Sequence, residues 1–465
     1  MMKLPKIIQT ISTKLSKQNA KAIVVGGSVR DHFLDLPIKD YDVEVYGLDS
    51  LEQLVSVLEA YGSVNLVGKS FGVLKFTYEG EEYDFSFPRR ESKVGSGHRG
   101  FDVEVDGHLA FEEAARRRDF SMNALGYDVQ NQAFLDPFGG MKEIEAKKLR
   151  HIDDVTFIED PLRVYRAVQF SARFGFTLEE ETLVLCKQMV SEGMLHELPK
   201  ERVYDEWKKL LLKSSKPSIG FELMRELGIL ERYFPELNAL IGVPQSPKWH
   251  PEGDVWVHTM MTLDAMIQEV GMRNDEVGIK EKLRFLFAIL CHDLGKATHT
   301  VIEEDGTIRS IGHEVAGVEP TKILMYRLSD EHDFIESILP LVEHHLKPSQ
   351  FYAGGAKAPA IRRLATKVKI EELVTVAKAD FLGRTTKESL SGIYHAGEWL
   401  LEKSQDLDVV NKPLDCLLRG RDLIALGLKP SPQFKEILDA VYEEQIEGRI
   451  KSKEEAVVFV KKRYV

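Results

Sequence analysis

The stretch "KAIVVGGSVRDHFLDLPIKDYDVEVYG", Lys21 to Gly47, decides how the N-terminal part of the chain is read. An apolar run that stops at Gly26-Gly27 reads as a strand ending in a turn, and "SVRDHFLD" behind it as a helix. The next run alternates toward Val43 and Val45 and carries Asp40 and Asp42 two residues apart. Side chains at i and i+2 of a strand leave the same face only a few ångströms apart, so two carboxylates there repel unless something positive lies between them. An isolated pair of this kind fits a solvated edge strand or an Asx-type turn. It also fits a divalent-metal site, because a hard cation takes carboxylate oxygens and keeps its other positions for water and phosphate. Strand, glycine turn, helix and second strand in succession would set backbone N–H groups and a helix N-terminus against a triphosphate beside the metals, as phosphoryl transfer requires.

The same residues, "VVGGSVRDHFLDLPIKDYDVEV", resemble the signature of the polymerase-beta-like nucleotidyltransferases, and among them the bacterial tRNA nucleotidyltransferase (CCA-adding) and poly(A) polymerase family. The likeness continues through "RRRDFSMNALGYD" (116–128), "LDPFGG" (135–140), "EDPLRVYRAVQFSARFGF" (159–176) and "ERVYDE" (201–206). It implies that Asp40 and Asp42 are catalytic and hold Mg²⁺, that Gly26, Gly27 and Arg30 face the triphosphate, and that Arg117, Asp119 and Asn123 hold ribose and phosphates. Arg166 joins them as a nucleotide-binding residue, and Asp84 in "EYDFSF" is a candidate third carboxylate. The resemblance also places the family's flexible element for terminal-A addition in the Gly-rich, charged loop 88–107.

Asp160 and Arg163 of "EDPLR" lie three apart at a helix start and so can share a face. A carboxylate accepts from the exocyclic amine of cytosine or adenine while a guanidinium donates to the neighbouring ring acceptors, and guanine and uracil present the opposite pattern. An N-cap Asp before Pro161, paired on the surface with Arg163, accounts for the same residues. The resemblance implies base selection, a protein template that accepts CTP and ATP.

From about residue 155 the pattern turns helical, with apolar residues at spacings of three and four. A second constellation follows the Pro- and Gly-marked stretch 242–254: His258 in "DVWVHTMMTLDAM" and His292-Asp293 at the end of "LRFLFAILCHDLGKATH". With Asp380 in "VAKADFLGR" this H…HD…D pattern resembles the HD-domain phosphohydrolases. The resemblance implies a metal held by His258, His292, Asp293 and Asp380, with His313 and His344-His345 where a second metal or a substrate phosphate is often met. Imidazole plus carboxylate suits Ni²⁺, Mn²⁺, Fe²⁺ or Co²⁺ as well as Mg²⁺.

Size and composition narrow the class. The 465 residues allow two to four domains, and a formal net charge of −12 argues against indiscriminate coating of nucleic acid. No run of about 18 apolar residues predicts a membrane span, and Cys186, Cys291 and Cys416 form no C-x-x-C pair, as expected of a reducing, cytoplasmic setting. The expected fold is α+β: a polymerase-beta-like nucleotidyltransferase head with a mixed sheet (1–150), an all-α neck and body (151–240), an α-helical HD domain (241–394) and a helical tail (395–465). The expected activity is template-independent addition of CCA to tRNA from CTP and ATP, with HD-domain phosphatase and 2',3'-cyclic phosphodiesterase activity. The expected partners are tRNA and the two nucleotides, with no DNA and no membrane, for a monomer or dimer. The rival readings are a poly(A) polymerase, a CC- or A-adding enzyme, and an HD hydrolase whose head only binds RNA.

Overall fold

The opening stretch folds into two antiparallel strands, β1 (Lys21–Val25) and β2 (Asp42–Tyr46), with Val25 opposite Asp42. The computed structural model describes residues 1–67, 72–93, 101–272 and 278–465. Within the sheet β1 is buried along nearly its whole length, which explains its unbroken apolar sequence, whereas β2 alternates. The other strands are β3 (Ser63–Val67), β4 (Val73–Tyr78), β5 (Glu81–Ser86), β6 (Arg89–Lys93), β7 (Phe101–Val105), β8 (Gly126–Asp128) and β9 (Ala133–Leu135). A seven-stranded sheet runs in the order β3-β4-β5-β2-β1-β8-β9, and β6 pairs with β7 separately. The β2–β5 pair is parallel and its neighbours are antiparallel, so the sheet is mixed. Part of loop 88–107, residues 94–100, falls outside the described residues.

The strand that carries Asp42 begins at Asp42 itself, and Asp40 lies in the exposed segment before it. The expected placement of both aspartates on one strand is therefore corrected. On its β1 side, β2 has no ladder partner upstream of Asp42, because β1 ends at Val25 and Gly26 turns the chain into helix Gly27–Phe33. The carboxylate registered beside Asp42 is instead Asp84 of β5.

The chain divides into two compact units, Met1–Arg232 and Tyr233–Val465. Within the first unit, strand β10 (Lys148–Leu149) pairs in parallel with β11 (Thr177–Leu178) and Phe120 bridges to His151, which ties the helices after 150 to the part before it. Helix Leu162–Phe174 then packs on helices Lys200–Lys213 and Ser218–Glu226, around the buried rings of Trp207 and Phe221. The break falls before Tyr233, ahead of the Pro/Gly stretch, since Arg327 donates to the Tyr233 carbonyl and pairs with Glu236 at 2.6 Å.

The second unit is helical among the described residues, save for the short pair Val301–Ile302 and Ile308–Arg309. Helix Ile279–Cys291 buries Leu283 and Phe285 through Cys291, and helices Val255–Met272, His332–His344 and Ile370–Leu382 pack around it. Three C-terminal helices close on their own core of Leu423, Ile437, Val441 and Val460. No helix among the described residues is long and apolar enough to cross a membrane.

Candidate functional site

In the first unit a cleft of about 670 Å³ opens between the sheet and helices Leu162–Phe174 and Lys200–Lys213. Gly26 stands at its edge with φ +69°, and a Cβ there would sit 2.7 Å from an Arg118 guanidinium nitrogen, so the turn needs glycine on both counts. Arg118 reaches across to Glu44 at 2.9 Å. Asp42 is open to solvent on one side and crowded by protein on the other. That partial desolvation, and then the like charges of Asp84, Asp40 and Glu44, raise its pKa above the usual carboxylate value, with Arg118 acting in the opposite direction. Oxygen ligands that repel one another beside a cleft are the donor set a hard divalent cation takes.

Four predicted nucleotide-binding residues form one hydrogen-bonded chain. Arg30 donates to the Asn123 side-chain oxygen at 2.7 Å, Asn123 to Asp119 at 2.8 Å, and Arg166 to the other Asp119 oxygen at 2.6 Å. Burial alone would raise the Asp119 pKa, yet Arg166, Asn123 and Arg163 hold it below the usual range. Gly26, Gly27 and Arg117 line the same cleft.

Asp160 and Arg163 both line the cleft. Asp160 accepts from Arg202 at 3.2 Å and from the Leu162 N–H at 3.3 Å, while Arg163 donates to the Arg117 carbonyl. Sequence reasoning missed Arg202, although it sits in the quoted "ERVYDE", and also Arg118, Glu44 and Arg173. Ten cationic side chains and five acidic ones line this cleft, so a chain of net charge −12 keeps a locally basic pocket. Burial, and then Arg30, push the Arg173 pKa down, with Asp31 acting in the opposite direction.

In the second unit His258, His292, Asp293 and Asp380 converge in the helical core, all buried. His258 Nε2 lies 3.0 Å from Asp380 and 3.9 Å from Asp293, and His292 Nε2 lies 3.2 Å from Asp293. His313 Nε2 and His345 Nε2 approach the other Asp293 oxygen at 3.2 and 3.9 Å. The neighbouring His344 is not part of these groups. Gly295 permits the packing, since a Cβ there would meet the His313 carbonyl at 2.0 Å.

The imidazoles show what the pocket is for. Nδ1 of His292, His313 and His345 each faces the carbonyl of the residue three before it, at 2.6, 2.5 and 2.7 Å, which assigns the proton to Nδ1 and the lone pair to Nε2. Lone pairs then point at carboxylate oxygens, and Nε2 of His292 and His313 and both Asp293 oxygens lack a well-aligned hydrogen-bond partner among the described residues. A cation between them, or a proton on Nε2 donated to Asp293, resolves that arrangement. Burial, then His292 and His313, bring His345 down to about 3 and keep it neutral, as a ligand must be. Asp293 would be raised by its burial, but His292 and Lys296 hold it far below the usual range, Lys296 at 2.7 Å. Burial would raise Asp380 too, but Arg384, then His258 and His292, hold it far below the usual range.

Comparison with known proteins follows the same division. The family descriptions "Poly A polymerase head domain", "Probable RNA and SrmB- binding site of polymerase A" and "HD domain" match residues 22–150, 175–241 and 256–384. Together they describe a nucleotidyltransferase head and RNA-binding region followed by an HD domain. The chain is 34% identical over 407 residues to the multifunctional CCA protein of Neisseria gonorrhoeae (strain NCCP11945), spanning 86% of this chain and 93% of that relative. It is 36% identical over 373 residues to the one from Mannheimia succiniciproducens, spanning 78% and 84%. The chain belongs to the family of multifunctional CCA proteins. Its fold is shared with the Bacillus stearothermophilus CCA-adding enzyme solved in complex with CTP (TM-score 0.68, 21% identity, 99% of this chain and 98% of that one). The Thermotoga maritima CCA-adding enzyme complexed with tRNA-CCA also shares it (TM-score 0.61, 19% identity, 98% and 95%).

Proposed function

We infer that this chain adds C, C and A to tRNA 3' ends from CTP and ATP, and that its HD pocket hydrolyses phosphoesters, 2',3'-cyclic phosphates among them. The observation that carries the reading is the pairing of Asp42 and Asp84 at the edge of a cleft floored by arginines. Mg²⁺ held by Asp40, Asp42 and Asp84 would supply charge neutralisation at the α-phosphate and acidify the attacking hydroxyl. The protein's own share is positioning and electrostatics. Arg30, Arg166 and Arg173 hold the triphosphate, and the Arg30–Asn123–Asp119–Arg166 chain keeps two of those guanidiniums in place. Arg163 and Asp160 read the base edge, and Arg202 holds the Asp160 carboxylate ionised and oriented. The tRNA 3'-hydroxyl attacks the α-phosphorus in line and pyrophosphate leaves. In the second unit, Ni²⁺, Co²⁺, Mn²⁺ or Fe²⁺ at His258, His292, Asp293 and Asp380 would activate water, while Lys296 holds Asp293 at 2.7 Å.

The test uses tRNA transcripts ending before CCA, after C and after CC, each offered labelled CTP, ATP, UTP or GTP with Mg²⁺. CTP extending the first two and ATP adding one residue to the third is the expected pattern. Long ATP tails on any end would replace the reading with a poly(A) polymerase. Release of phosphate or of 2'-AMP and 3'-AMP from p-nitrophenyl phosphate and 2',3'-cAMP tests the second unit, and inertness with every one of these metals would remove that half.

A further inference from the structure

Strand β2 carries a second acid on the cleft face, and it is engaged by protein partners. Glu44 follows Asp42 by two residues and so leaves the same face, and both line the cleft. One Glu44 oxygen accepts from Arg118 at 2.9 Å and the other from the Tyr46 hydroxyl at 2.6 Å. Tyr46 is buried with its ring against Phe111, in the small core shared with Ile23 and Val25 of β1, so its hydroxyl is a fixed donor. Glu44 itself sits mid-strand, registered between Ile23 of β1 and Ser86 of β5. The carboxylate is therefore the anchor, and the long Arg118 side chain comes to it.

Arg118 needs an anchor because a second acid lies beside it. A Cβ placed on Gly26 would be 2.7 Å from an Arg118 guanidinium nitrogen and 4.0 Å from an Asp42 oxygen, so both groups border one small space at the glycine turn. Arg118 nonetheless makes its ion pair with Glu44, and none with Asp42 among the described residues. A guanidinium released from Glu44 would close on Asp42, since its forked donors match a carboxylate. It would then occupy the oxygens that a metal ion needs.

We propose that Glu44, fixed by Tyr46, is a positioning residue that holds Arg118 off Asp42 and so keeps the Asp42 carboxylate open to the metal ion. The proposal rests on the reading of the head cleft as a metal-dependent nucleotide site. Two other roles compete with it: Glu44 as a metal ligand itself, and the pair with Arg118 as a tie that only braces the fold.

Equilibrium dialysis of labelled CTP against the full chain, without tRNA and over a series of Mg²⁺ concentrations, separates these roles. The binding that Asp42→Ala abolishes is the metal-dependent share of the head. Glu44→Gln is expected to raise the Mg²⁺ concentration for half-maximal CTP binding about 10-fold. In an Arg118→Ala background the same substitution should leave that midpoint unmoved, because no guanidinium remains to displace the ion. Tyr46→Phe, which removes only the hydroxyl, should give a smaller rise in the same direction. A parent-like midpoint in both Glu44→Gln and Tyr46→Phe would overturn the proposal and leave the pair as a brace. An equal rise with and without Arg118 would overturn it in favour of Glu44 as a ligand. Either result leaves the nucleotide-site reading standing, whereas a parent whose CTP binding is indifferent to Mg²⁺ and to Asp42→Ala would overturn both.

Discussion

The head cleft and the HD pocket are both built for divalent ions, and their carboxylates are perturbed in opposite directions. Asp42 stands half in solvent among like charges and is pushed up, whereas Asp293 and Asp380 are buried among imidazoles, Lys296 and Arg384 and are pushed down. In the head Asp42 faces Asp84, Asp40 and Glu44 with Arg118 as the opposing charge. The HD pocket has cationic and hydrogen-bonded partners around its acids already, so its ligands are oriented before an ion arrives. An open site tuned for turnover of a bulky substrate and a closed site tuned for a resident ion are the two solutions.

Removing one carboxylate from each site tests the contrast most severely. Asp42→Ala should lower nucleotide addition by on the order of 10³-fold or more without lowering the melting temperature, because it relieves repulsion. Asp293→Ala should instead destabilise the second unit by about 3 kcal/mol, since it strands Lys296 and the imidazoles in a buried site. Equal thermal losses in calorimetry would erase the distinction. Next in size, Co²⁺ at about 100 times its dissociation constant should stabilise the second unit by about 2.7 kcal/mol. Mg²⁺ without nucleotide should leave the first unit's transition almost unmoved.

Acid should also separate the units. His345 has a folded pKa near 3 against an ordinary 6.5, so its stabilising contribution is complete above pH 6.5 and is lost as the pH falls toward 3. Asp293 and Asp380, lowered, lose theirs below the ordinary carboxylate value as well. Asp42, raised, has the reverse sign: its contribution is present at low pH and lost as the pH rises through its folded pKa. The metal-free second unit should therefore melt first on acidification, and a first unit that melts earlier would contradict this.

A smaller effect is expected at the base-reading pair. Arg202→Ala removes a charge-assisted bond to Asp160, so CTP use should fall about tenfold with a rise in UTP or GTP misincorporation. Smallest is thiol labelling. Burial raises Cys186 and Cys291 to about 12, so only the exposed Cys416 should react in the native chain at neutral pH.

What the sequence disclosed follows from the range of each interaction. The glycine turn, the change to helices near 150 and the H…HD…D spacing are local patterns, and the folded chain keeps them. The partner of Asp42 was harder to read, because Asp84 is placed by a parallel pairing of β2 with β5 that no alternation specifies. Arg202 is invisible for the same reason, 42 residues from the carboxylate it holds. Glu252 lay within a Pro/Gly-marked stretch that reads as a connection, and its closeness to His258, 2.8 Å, appears only in the folded chain.

The chain linking Arg30, Asn123, Asp119 and Arg166 has a consequence for synthesis. The cleft draws its lining from Val25 to Lys213, so β1, β2 and β5 leave the ribosome with Asp42 and Asp84 long before the arginines and lysines opposite them have been made. A nascent head ending near residue 150 carries Asp42 and Asp84 with Arg30, Arg89, Arg117 and Arg118 but without Arg163, Arg166, Arg173, Arg202, Lys209 and Lys213. The cationic lining is complete only after the helix Lys200–Lys213 has emerged, so the finished cleft comes late during translation.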